Sequence, residues 1–114
     1  MGALQNALLI LTVLSGPDAG RSLSFRKDRL YLGRDTGCDF VLSDGFVSNR
    51  HGEIVITKDG VEYHDLRSRH GTLVIINNVS TRLHDRDKNA TIQVGDGTEL
   101  QIGSSILKIE LPET

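Results

Sequence analysis

Apolar and polar residues alternate along most of this chain. Val61 and Tyr63 flank Glu62, Ile92 and Val94 flank Gln93, and Leu100 and Ile102 flank Gln101. Ile54-Val55-Ile56 carries the same apolar spacing on its outer positions. A period of two sends successive side chains to opposite faces, so each run predicts a strand with one buried face. Further strands are predicted at Arg29-Leu30-Tyr31-Leu32, Cys38-Asp39-Phe40-Val41-Leu42, Leu73-Val74-Ile75-Ile76 and Ile106-Leu107-Lys108-Ile109-Glu110-Leu111. In the last of these, Leu107, Ile109 and Leu111 share a side. The apolar run Ala7 to Leu14 reads as a buried strand. No basic residue precedes it and no cleavage motif closes it, which argues against a signal peptide, and it is too short to span a bilayer.

Turn chemistry separates the runs. Gly16-Pro17-Asp18-Ala19-Gly20 ends the first, Lys58-Asp59-Gly60 and Asn77-Asn78 predict hairpins, and Gly95-Asp96-Gly97 marks another reversal;. No segment keeps apolar residues at helical spacing over three turns, and 12 glycines in 114 residues would interrupt any helix that tried. The expectation is an all-β sandwich or barrel. His84-Asp85-Arg86-Asp87-Lys88-Asn89 mixes both charge signs and reads as a solvated loop;.

With 114 residues the chain is expected to be one domain, residues 1–114, able to bury a core without a disulfide or metal;. Thirteen Lys and Arg against fifteen Asp and Glu leave a net charge of -2, which gives no general attraction to nucleic acid or to an anionic membrane;. The lone Cys38 sits in an apolar run and reads as a small buried side chain. Cys38, His51, His64, His70 and His84 match no zinc spacing, so neither metal nor cofactor is expected. These features predict a cytoplasmic monomer.

One constellation carries chemistry. Leu32-Gly33-Arg34 places a guanidinium fork just after a predicted strand, and Val47-Ser48-Asn49-Arg50-His51 supplies a hydroxyl and backbone amides. Such a set can hold a phosphate without reacting with it. Between and after these lie Cys38 to Leu42, Asp65-Leu66-Arg67-Ser68-Arg69-His70-Gly71-Thr72, and Leu100-Gln101-Ile102-Gly103. In that order and spacing the series resembles the forkhead-associated (FHA) domain family over residues 30–110. The resemblance implies a β-sandwich of about 11 strands in two mainly antiparallel sheets, with loops at one end that bind phosphothreonine peptides. It implies that Arg34 directs its guanidinium at phosphate oxygens while Ser48 gives a hydroxyl and Asn49 an amide N–H. Gly33 and Gly71 are expected where a side chain would obstruct the turn. His51 is expected to support the loop that carries Ser48 rather than to activate a nucleophile.

The chain departs from the family at Arg69-His70, where asparagine usually occupies the second position and binds peptide backbone. Neutral histidine offers a donor and an acceptor on opposite edges of a larger ring. His70 is therefore expected to contact ligand in a rearranged way, with Arg69 reaching the phosphate beside it, and protonation of His70 in mild acid would add attraction. The function implied is a signalling module that recognises a partner phosphorylated by a Ser/Thr kinase. Such modules commonly regulate a larger protein, for instance from the N-terminus of a bacterial transcription regulator. A phosphate-independent interaction domain of the same fold is the alternative. An enzyme using Ser48 lacks a nucleophile elbow, an acid pair and a nucleotide loop.

Overall fold

The computed structural model describes residues 7–84 and 90–112. Most of the charged stretch at 84–89 lies outside the described residues. The alternation becomes 11 strands: β1 (Leu9–Ser15), β2 (Ser22–Phe25), β3 (Arg29–Gly33), β4 (Phe40–Val41), β5 (Gly52–Thr57), β6 (Gly60–Asp65), β7 (Thr72–Ile76), β8 (Val79–Leu83), β9 (Thr91–Val94), β10 (Glu99–Ile102) and β11 (Ser105–Glu110). They form a six-stranded sheet in the order β2-β1-β11-β10-β7-β8 and a five-stranded sheet in the order β4-β3-β5-β6-β9. All pairings are antiparallel except β3 with β4.

Period two does what it predicts. Leu9, Leu11 and Val13 of β1 and Leu107 and Ile109 of β11 point inward from one sheet, while Leu30, Leu32, Ile54 and Tyr63 point inward from the other, and together they form one core. β1 is buried on alternate positions only, since Ile10 is half-buried and Leu14 exposed, so the continuous apolar run has one core face rather than two.

The hairpins fall where the turn residues predict. Asn77 and Asn78 both take positive φ, 51° and 68°, and join Ile76 to its partner Val79. At the Lys58-Asp59 turn the only positive φ belongs to Gly60, at 137°. The predicted strand over Cys38–Leu42 is shorter than expected. Only Phe40 and Val41 pair, because Cys38 N–H is already committed to the Asp35 carbonyl at 3.0 Å in a tight turn.

Register gathers several loops at one end of the sandwich. Leu32 faces Gly52, Gly52 faces Asp65, and Ile102 faces both Thr72 and Ser105. The segments 34–39, 42–51, 66–71 and 103–104 therefore emerge side by side. Tyr63 closes the two layers beneath them, its hydroxyl 2.8 Å from Thr72 Oγ1.

Candidate functional site

Gly33 ends β3 at a point where the chain touches the loop over residues 42–51. A Cβ built there would lie 2.1 Å from the Asn49 carbonyl oxygen, inside any permissible contact. With no side chain in the way, Arg34 N–H donates to the Ser48 carbonyl at 3.0 Å and Asp35 N–H to the Asn49 carbonyl at 3.2 Å. Arg34 also donates its Nε–H to the Val47 carbonyl at 2.8 Å. That bond fixes the plane of the guanidinium, and its Nη groups have no partner among the described residues.

His51 lies wholly buried under this loop. Its Nδ1 accepts the Ser48 N–H at 3.1 Å, and its Nε2 sits 2.8 Å from the Gly71 carbonyl. An acceptor at Nδ1 requires the proton at Nε2, so the ring is neutral and ties the 42–51 loop to the 66–71 loop. Burial pushes its pKa below the usual histidine value, with the Gly71 carbonyl and Asp65 opposing only in part. Ser48 completes the tie from its side chain, where Oγ accepts the Arg69 N–H at 2.9 Å. Having accepted that bond, the hydroxyl keeps its own proton to donate elsewhere.

The 66–71 loop has its own foundation. Asp65, buried at the end of β6, accepts from Ser68 N–H, Ser68 Oγ–H and Thr72 Oγ1–H at 3.1, 2.5 and 2.9 Å. Gly71 ends the loop at φ 77°, and a Cβ there would meet the Leu83 carbonyl at 2.7 Å.

A further support has no counterpart in the sequence motifs. Asp44, 1% exposed, accepts from Phe46 N–H, Ser104 N–H, Ser104 Oγ–H and Ser105 Oγ–H at 2.6 to 2.9 Å. It fastens the 42–51 loop to the turn between β10 and β11. Burial works to raise its pKa, but these hydrogen bonds outweigh burial and hold the carboxyl below the ordinary range.

The expected site residues come together. Arg34, Ser48, Asn49, Arg69 and His70 line one open recess of about 150 Å³, with Gly45, Phe46 and Val47 completing its wall. Gly33, His51 and Gly71 lie behind it. Sequence reasoning missed Phe46, which is 62% exposed and meets the His70 ring edge-on at 5.9 Å between centroids. A lone aromatic beside Gly45, outside any alternating run, was the available signal. Arg50 turns away from the recess and lies over the Tyr31 ring at 4.6 Å. Cys38 is buried, as expected, with Sγ 3.3 Å from the Asn49 carbonyl.

A family model described as the inner membrane component of the T3SS, cytoplasmic domain, matches residues 12–112. The chain belongs to this family, an FHA-type domain. The chain is 32% identical over 100 residues to the oxoglutarate dehydrogenase inhibitor of Corynebacterium jeikeium, a match covering 88% of this chain and 62% of that protein. It thus spans less than two thirds of that relative's length. It is similar to an FHA domain solved in structural and functional work on phosphothreonine-dependent FHA domain interactions, with 26% identity and a TM-score of 0.72 over 93% of this chain and 98% of that one. It is also similar to the FhaA FHA domain complexed with the intracellular domain of Rv3910, with 27% identity and a TM-score of 0.69 over 90% of this chain and 99% of that one. No helix among the described residues is long and apolar enough to cross a membrane.

Proposed function

We propose that this FHA domain is a phosphothreonine-peptide-binding module, one unit of a larger signalling protein, that recognises a partner phosphorylated by a Ser/Thr kinase. The observation that carries the reading is the recess itself, in which unspent donors from two loops converge. Arg34 offers its Nη hydrogens, Ser48 its hydroxyl and Asn49 its main-chain N–H. None of these is consumed by a bond among the described residues. A phosphothreonine brings roughly -1.5 to -2 charge and several acceptor oxygens, so each of these donors would make a charge-assisted bond. Arg69 stands at the rim and adds positive charge. The similarity to an FHA domain studied for phosphothreonine-dependent interactions supports the same reading.

The geometry favours holding over transferring. His51 is bonded through both ring nitrogens, and it is Ser48 N–H, not Ser48 Oγ, that faces the ring. It is therefore not placed to draw a proton from the hydroxyl, and the site reads as a binding site with no catalytic residue. No nucleic acid, membrane or cofactor enters this proposal.

An oriented library of phosphothreonine peptides, with an unphosphorylated copy of each hit, tests it. Wild type should require the phosphate. Arg34→Ala should lose about 30-fold or more in affinity, the lower bound for stranding one member of a desolvated charge pair. Equal binding of phosphorylated and unphosphorylated copies would instead favour a phosphate-independent interaction domain.

A further inference from the structure

On the far side of His70 from Arg34 lies a second recess, of about 110 Å³, lined by His70, Gly71, Leu73, Arg82, Gln101 and Gly103. Its floor belongs to the six-stranded sheet, where Gln101, Leu73 and Arg82 face one another across β10, β7 and β8. The two recesses share His70, so an extended peptide whose phosphothreonine occupies the first would pass the second within a few residues.

Arg82 sets the character of this recess. It donates Nη1–H to the His70 carbonyl at 2.9 Å, which anchors an otherwise exposed guanidinium beside the loop. Three other cations of the domain face carboxylates, Arg21 against Asp18, Lys27 against Asp39 and Arg29 against Glu53. Among the described residues no carboxylate pairs with Arg82. The buried Asp44 lies 3.1 Å from where a Gly103 Cβ would stand, and its oxygens are taken up by Ser104, Ser105 and Phe46. Gln101 contributes a neutral amide able to donate, and Leu73 an apolar wall. A guanidinium fork oriented by one bond, beside an amide donor, fits an anionic group with paired oxygens.

We propose that the recess between His70 and Arg82 is a second anion subsite of the same groove, and that it selects phosphothreonine peptides carrying a carboxylate or phosphate on a neighbouring side chain. This rests on the phosphothreonine reading of the first recess. Arg82 is then a specificity residue, distinct from the groups that grip the phosphothreonine.

The test uses a phosphothreonine peptide with neutral flanks, then Asp and phosphoserine placed in turn at each flanking position. Each is titrated against wild type, Arg82→Gln, Arg82→Lys and Arg34→Ala. Wild type should show one position where Asp raises affinity about three- to tenfold over the neutral peptide, and the gain should shrink as salt rises. In Arg82→Gln that ratio should fall to near one, and Arg82→Lys should restore part of it. A larger gain with phosphoserine than with Asp marks the subsite as taking phosphate, and a gain with Asp alone marks it as taking carboxylate. Arg82→Gln weakening every peptide by the same factor would mean that Arg82 only holds the His70 carbonyl, and would overturn the subsite, as would the absence of any responsive position. The neutral phosphopeptide and Arg34→Ala report on the first recess separately. If they show no phosphate-dependent binding, the underlying reading fails and the subsite falls with it.

Discussion

His51 shows how much of this site depends on one buried ring. Its Nδ1 must stay unprotonated to accept the Ser48 N–H, and its burial keeps its pKa low in the folded chain. As pH falls through about 6.5 the unfolded chain takes the proton first, so stability is present above that pH and is lost progressively between it and the lower folded value. Thermal unfolding of the free domain from pH 8 to pH 5 should therefore show a Tm that declines on the acid side. In His51→Gln the domain should be less stable by about 1 to 3 kcal/mol, from unpaired loop groups, and the acid slope should flatten. A slope unchanged by that substitution would place the titration on another group. Measuring the free domain keeps ligand binding out of the readout. Arg34, Ser48, Asn49 and His51 were legible because each sits in a short motif whose neighbours do the positioning. Asp44 was not, since the donors from Ser104 and Ser105 are 60 and 61 residues away and nothing local marks the pairing. Arg82 escaped for a similar reason, as it reaches the His70 carbonyl from 12 residues away on an exposed edge strand.

Among the elements, the junction of β3 with the 42–51 loop is the one with least tolerance. Replacing Gly33 with alanine would force the Asn49 carbonyl away, and that carbonyl moves with the Ser48 and Asn49 main chain. We expect Gly33→Ala to cost about 1 to 3 kcal/mol by overpacking and, in addition, to weaken phosphopeptide binding although no proposed phosphate contact is changed. Urea unfolding and a peptide titration on the same sample check both halves. The strands themselves were legible where alternation marks a buried face, in β1, β3, β5, β6, β7, β9, β10 and β11. β2 carries no such mark and β8 was implied only by the Asn77-Asn78 hairpin, because both are edge strands whose residues are largely exposed, so packing imposes no pattern on them. β4 was seen but overextended. Its rungs are the parallel bonds Asp39 N–H to the Tyr31 carbonyl and Leu42 N–H to the Gly33 carbonyl, both 2.9 Å, while Cys38 is buried without a rung to β3.

Taken whole, the molecule is a sandwich whose core residues come from both sheets and whose binding loops share one end. The all-β class was readable from alternation and glycine usage, but the convergence of four loops was not, because it is set by strand register between distant segments. That register has a kinetic consequence. Arg34 and Asp35 are bonded through main chain to Ser48 and Asn49, so the spacing between guanidinium and hydroxyl is already built before any peptide arrives. Association should then proceed in a single step. Under excess peptide in stopped flow, the observed rate is expected to rise linearly with concentration, whereas a plateau would reveal loops that must first rearrange. Peptides that share the phosphothreonine but differ around it would arrive at similar speeds and be told apart by how long they stay.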